Sequence, residues 1–371
     1  MLLSPATIPA PEGDGLTLRN RAIVAPMCMY SVDAEDGVPT DFHLVHSGAF
    51  ATGGFGLVTI EATGVEARGR ISPRDLGLWD DGQIAAHRRM TEFAHAQGAK
   101  IAVQLGHAGG KASTYPGLPG FQDLTVPVSE GGWKTVGPTE QPVFPHLDAP
   151  HALSESELDD VVAAFAEAAR RADEAGYDAI QLHGAHGYLL HQFLSPISNT
   201  RTDSYGGSEE NRTRLVRRVV DAVRKVWPAT KPLGIRFSAS DWLEGADGEV
   251  WNVEATARLA HRLVTEHGVS WIDASSGGLP GGRIAVGPGY QVAFAARIRE
   301  ALAGTGALVS AVGLIDSAAQ AESILATGQA DAVSVARAAL RNPHWAAASA
   351  AELGVERSEI PAAGQYWRTR W

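Results

Sequence analysis

Two imidazoles and a phenol stand close together in the stretch 181–212, QLHGAHGYLLHQFLSPISNTRTDSYGGSEENR. His183 and His186 lie three residues apart where an apolar run ends, and Tyr188 follows two residues on. Such a set suits gripping and protonating a small substrate that carries an oxygen. Imidazole N–H groups donate to the oxygen, and a phenol with an ordinary pKa of about 10 keeps a proton to deliver at neutral pH. The same residues allow two other readings. With His191 nearby they are candidate zinc ligands, though no third ligand falls at a convincing spacing. A single histidine can also be a satisfied core residue.

Convergence of these groups requires a scaffold. Continuous apolar runs at 23–27, 57–61, 101–105, 179–183, 233–237, 271–275, 308–312 and 332–335 read as parallel strands buried on both faces. Helical patterns at 83–97, 155–175, 209–226, 253–267, 290–303 and 318–327 alternate with them. Ser154-Glu155-Ser156-Glu157 opens one of these helices with a capping-box signature. Eight strands alternating with helices predict a (β/α)₈ TIM barrel. A doubly wound sheet is the alternative, but no GxGxxG follows the first strand. The chain reads as a single domain, 1–371, with a Gly/Pro-rich insertion at 109–150 after the third strand. Barrel chemistry sits at the C-terminal ends of strands. The residues expected there are Cys28, Glu61, Gln104, His107, His183, Arg236, Ser275 and Ser276.

Bulk properties narrow the function classes. Among 371 residues, 44% are hydrophobic and 20% charged, as in a globular protein with a sizeable core. A net charge of −11 disfavours a nucleic-acid partner, and the basic cluster at 212–218 has the spacing of a solvated helix face. Cys28 is the sole cysteine, which excludes an internal disulfide. No run reaches the roughly 18 apolar residues of a membrane span, and no secretory leader pattern opens the chain. The expectation is a cytoplasmic protein.

Several longer stretches carry a resemblance: LRNRAIVAPMCMY, IEATGVEARGRIS, IAVQLGHAGGKAS, LHGAHGYLLHQFLSPISNTRTDSYGGSEENR, IRFSASDW, SSGG, GPGYQV and the tail QYWRTRW. Nearly end to end, the chain resembles the Old Yellow Enzyme family of FMN-dependent ene-reductases, and looks most like its thermophilic-like class. The resemblance implies FMN, NADPH (or NADH) as reductant, and activated alkenes as substrates. A flavin needs a cation or strong donors at its N1/O2 edge, hydrogen-bond partners at its N3/O4 edge, and backbone N–H groups with an arginine for its phosphate. By resemblance, Arg236 serves the first edge, Gln104 the pyrimidine, and Gly313, Ala336 and Arg337 the phosphate. Ala336 departs from a glycine common in the family.

Pro26, Met27, Cys28 and Ala62 are implied contacts of the isoalloxazine. Cys28 stands where other classes carry a threonine. By itself a lone cysteine reads as a small buried apolar residue. Tyr188 is the implied proton donor to the alkene α-carbon, and His183 and His186 hold the activating oxygen. Tyr30 resembles the tyrosine lining the substrate pocket, and Lys111 supports that environment. The loops 114–121 and 279–289 shape the pocket. In this class a terminal arginine reaches a neighbouring subunit's site. Arg368 is the match, and Arg370 is the alternative because the tail is one residue longer. A homodimer or homotetramer follows from that resemblance. Fold relatives with an iron–sulfur centre do not fit a chain with one cysteine.

Overall fold

The structure, a computed structural model, describes residues 1–243 and 249–369. Eight parallel strands close into a barrel: β1 (Ala22–Val24), β2 (Leu57–Gly64), β3 (Lys100–Gly106), β4 (Ala179–Gly184), β5 (Leu233–Ser238), β6 (Trp271–Ser275), β7 (Leu308–Val312) and β8 (Ala332–Val335). Each pairs with the next, and β8 returns to β1, so the barrel itself has no open edge. A helix follows every strand: α1 (Asp41–Thr52), α2 (Ile84–Ala96), α3 (Glu155–Glu174), α4 (Arg214–Val226), α5 (Val253–His267), α6 (Val292–Ala301), α7 (Ala318–Ala326) and α8 (Trp345–Glu352). This is the (β/α)₈ barrel that the alternating pattern predicts.

Local chemistry explains the boundaries. At the start of α3, the Ser154 hydroxyl accepts from the Glu157 N–H, and Glu157 accepts from the Ser154 N–H at 2.8 Å. The helical pattern at 209–226 is divided at Thr213 into a short turn, Glu209–Arg212, and α4. The first strand stops at Val24, short of the expected residue 27, because Pro26 has no N–H for a ladder. The second strand runs on to Gly64 and shifts register between Ile60 and Ala62. That bulge turns Glu61 aside, as bulges beside sites do.

An N-terminal hairpin, Ala6–Ile8 against Leu16–Leu18, was not anticipated. Its four buried residues, Ala6, Ile8, Leu16 and Leu18, pack with Ile23, Leu57, Ala102, Ala179, Trp271, Leu308 and Ala332, which lie at or near the starts of seven barrel strands. This apolar plug closes the end of the barrel opposite the site. Above it the interior turns polar. Gln104 and Gln181 stand in register on β3 and β4, as do Arg236, Asp273 and Ser310 on β5, β6 and β7.

The insertion after β3 covers the rim. It holds two short 3-10 turns, Gly109–Lys111 and Val128–Glu130, and a two-residue strand, Val136–Gly137, paired with His151–Ala152.

Candidate active site

His183 lies one residue from the end of β4, and the chain then turns through Ala185, His186 and Gly187. His186 has φ +58° and Gly187 φ +71°. A left-handed histidine costs free energy and needs support from its surroundings. The support is explicit. The His186 N–H donates to Ser238 Oγ at 2.8 Å, and that hydroxyl donates to the Gly277 carbonyl at 2.6 Å. The His186 carbonyl accepts from Lys111 Nζ at 2.7 Å, and the same ammonium reaches the Gly278 carbonyl at 3.1 Å. A Cβ on Gly278 would lie 2.1 Å from the His186 carbonyl carbon, so this approach requires glycine.

The rings then meet. His183 Nε2 stands 3.4 Å from His186 Nδ1, and His186 Nε2 stands 2.8 Å from Ser275 Oγ. Both imidazoles are held well below the usual histidine range, by burial first. The neighbouring His186, Arg236 and Lys111 add to this at His183, and Arg236 and Lys111 do so at His186. At neutral pH each is therefore uncharged and carries one N–H. His183 Nδ1 is buried without a hydrogen-bond partner, whereas both nitrogens of His186 are engaged. The Tyr188 ring meets His183 edge-on at 4.9 Å, and burial pushes its phenol well above the usual tyrosine range. Lys111 Nζ lies 4.9 Å from the Tyr188 ring centre, and burial lowers this ammonium to about 8.

His191 does not join this pair. Its Nδ1 accepts from the Gly187 N–H at 2.9 Å, which leaves the ring hydrogen on Nε2, 3.0 Å from Asp241 Oδ1. Among the described residues no group of three or more His, Cys, Asp or Glu is placed to hold a metal ion. His107, expected at the rim, serves the scaffold. Its Nδ1 accepts from the Gly109 N–H at 2.9 Å and its Nε2 meets Glu66 at 2.7 Å, which fixes the turn leading to Lys111.

The floor is the polar belt. Gln104 Nε2 donates to Gln181 Oε1 at 2.8 Å, and Gln181 Nε2 is left without a partner. Arg236 is paired with Asp273, whose other oxygen accepts from Ser310 and Ser334 at 2.6 and 2.9 Å. Gln181 and Asp273 were not singled out from the sequence. A carboxylate inside the apolar run 271–275 was the available signal, since a fully buried charge needs a partner.

An apolar patch of Ala62, Ile71, Ala108 and Ala112 gathers Cys28, Tyr30, Trp133 and Tyr188 around it. Four of the expected residues thus share one wall. Glu61 Oε2 accepts from the Met29 N–H at 2.6 Å and Glu61 Oε1 lies 3.2 Å from His43 Nε2, which fixes the segment carrying Met27 and Cys28 just past Pro26. Burial pushes the Cys28 thiol up, and the nearby Asp75 and Glu61 add to this. The thiol is therefore un-ionised and behaves as a weak S–H group. Tyr30 lies under the insertion, where a Cβ on Gly117 would be 3.3 Å from its ring.

Gly313 follows β7 with φ +123°, and Ala336 follows β8. Ala336 has φ −109°, outside the left-handed region, so the missing glycine imposes no strain of the left-handed kind. Arg337 beside it is exposed. Arg368 lies against the ring of Trp367 in its own tail at 5.2 Å. Arg370 lies outside the described residues.

The sequence profile of the NADH:flavin oxidoreductase / NADH oxidase family matches residues 9–355. The chain belongs to this family. An NADPH dehydrogenase of Geobacillus sp. (strain WCH70) is 44% identical over 369 residues, 99% of this chain and 98% of the relative. The solved structure of morphinone reductase is similar with a TM-score of 0.77 at 28% identity, over 96% of this chain and 90% of that chain. A 2-naphthoyl-CoA reductase complex gives a TM-score of 0.81 at 22% identity, over 97% of this chain and 53% of that one, a likeness of fold. The Old Yellow Enzyme resemblance of the motifs is therefore a family relationship. The chain is an NAD(P)H-dependent flavin oxidoreductase with FMN as its cofactor. The belt suits such a group. It offers an unpartnered buried amide at Gln181, the cation of Arg236, and the backbone turns that follow β7 and β8.

Proposed function

We propose that this flavin oxidoreductase is an ene-reductase, which takes reducing equivalents from NADPH and delivers them to the C=C bond of an alkene activated by a carbonyl or nitro group. FMN, when bound, supplies the hydride received by the β-carbon. The observation that carries the reading is one wall of the pocket. It combines a neutral buried imidazole with an unpartnered nitrogen, His183 Nδ1, and a protonated phenol, Tyr188, 4.9 Å away ring to ring.

His183 Nδ1–H would donate to the activating oxygen, where negative charge develops as the β-carbon is reduced. His186, held between His183 and Ser275, fixes the tautomer and orientation of the pair. One preorganised donor of this kind is worth roughly 3 kcal/mol in the transition state. Tyr188 O–H would protonate the α-carbon, with Lys111 over its ring favouring charge on the departing phenolate. Pro26, Met27, Cys28, Ala62, Gln104 and Arg236 would surround the flavin ring, Gly313, Ala336 and Arg337 its phosphate, and Tyr30 the open side of the substrate pocket. Arg368 would complete the site of a neighbouring copy in a homodimer or homotetramer.

The test is spectroscopic and chemical. FMN-loaded protein, reduced anaerobically with NADPH, should be reoxidised by cyclohexenone with formation of cyclohexanone. Bleaching by NADPH without any reduction of the enone would overturn the ene-reductase reading and leave the flavin oxidoreductase standing.

A further inference from the structure

Asp75 follows β2 and is 0% exposed. Its Oδ2 accepts from the backbone N–H groups of Ile71 and Ser72 at 2.6 and 3.2 Å, while Oδ1 has no hydrogen-bond partner. An orphaned carboxylate oxygen away from water is costly. Asp75 also lines a small cavity that reaches Tyr188 and His183, with Ala62, His107 and Arg70 among its other walls. The space open to the centre of a water molecule there is about 10 Å³, close to the roughly 10–15 Å³ that one water requires.

The proposed reaction leaves Tyr188 short of a proton after every turnover. The phenolate so formed sits among buried groups, and burial disfavours its charge. We propose that Asp75 is the acid that recharges Tyr188, passing a proton through a single water in the cavity the two residues share. The inference rests on the ene-reductase reading. The step balances: the water gives a proton to the Tyr188 phenolate and takes one from the Asp75 carboxylic acid. Tyr188 regains its O–H, Asp75 becomes a carboxylate, and the carboxylate later takes a proton from solvent. That proton is the one consumed when an alkene and NADPH become an alkane and NADP⁺.

The groups that bear on Asp75 favour this role. Burial, and then the Glu61 carboxylate, raise it to about 8, against the N–H bonds from Ser72 and Ile71 and the charge of Arg70. Cys28, Tyr30 and Tyr188 all lie within its field. At neutral pH Asp75 therefore holds a proton. Burial holds the Tyr188 phenol well above its ordinary range, so transfer from the Asp75 carboxyl to the phenolate runs downhill.

The experiment compares Asp75→Asn with the parent holoenzyme in the oxidative half-reaction, using cyclohexenone and, separately, menadione. The quinone takes its protons on oxygen and does not call on Tyr188. The expected result is a roughly ten- to hundredfold slower reaction with cyclohexenone, with menadione far less affected. In the parent, the cyclohexenone rate should fall as pH rises through about 8, and Asp75→Asn should lose that limb. In a Tyr188→Phe background the second substitution should add nothing. Equal slowing of both acceptors, slowing of neither, or additive effects would overturn the proposal. Should the variant fail to fold, infrared spectroscopy of the parent decides, because a buried carboxyl already ionised at neutral pH is incompatible with the role. A parent that reduces menadione but not cyclohexenone would instead count against the ene-reductase reading, and this inference would go with it.

Discussion

The two histidines at the end of β4 are held unequally. His183 has the spare nitrogen, while His186 is braced on both sides by His183 and Ser275. His183→Ala should therefore slow enone reduction about a hundredfold and weaken binding of phenolic ligands. The rate of flavin reduction by NADPH should change much less. Unchanged kinetics with the enone would remove His183 from the substrate site. Asp75 makes a separate prediction on stability. Its folded-state value of about 8 exceeds the unfolded value of about 3.9, so the native state binds a proton that the unfolded chain releases. The sign follows: this stability is fully present below about pH 4 and is lost progressively up to about pH 8, by roughly 1.4 kcal/mol per pH unit. The difference in unfolding free energy between the parent and Asp75→Asn, from urea titrations at pH 5 and pH 8, should change with that slope, because the buried histidines titrate in both and cancel.

Strands and helices were legible wherever burial is apolar and continuous. The run 253–267 has the bounds of α5, and the runs 271–275, 308–312 and 332–335 are strands β6 to β8 as read. α1 escaped because its buried face uses His43, Ser47 and Gly48 beside Phe50 and Ala51, and Gly48 packs against the Phe93 ring. Such a face gives no apolar period. The hairpin escaped because its strands are three residues each, too short for alternation to register. Its contribution is nonetheless thermodynamic. Leu18 is fully buried in the plug, so Leu18→Ala should cost about 2–5 kcal/mol in chemical denaturation. Lying at the far end of the barrel, it should leave the enone reduction rate unaltered. In the site, the His183-His186-Tyr188 spacing was readable because it recurs within a long specific motif. Asp75 was not, because a lone polar residue in a loop gives no sign of whether it faces solvent or the barrel interior, and Asp273 and Gln181 went unread although the apolar runs around them signalled burial.

For the molecule as a whole, the C-terminal tail carries the prediction. Trp367 is 67% exposed, and Arg368 lies over it. If a neighbouring copy receives this tail, sedimentation should give a dimer or larger species. Arg368→Ala should then raise KM for the enone while the rate of flavin reduction stays the same. A monomer with full activity would rule the inter-subunit arginine out. Within one chain, Lys111 has a different kind of consequence. Its ammonium joins the insertion after β3 to carbonyls in the turns after β4 and β6. Those three loops are therefore inherited as a set. Grafting one of them from a relative would leave a buried cation or two carbonyls without partners, so loop-exchange libraries on this scaffold should draw all three from the same parent. The specificity of the enzyme can then diversify only along combinations that keep this clasp intact.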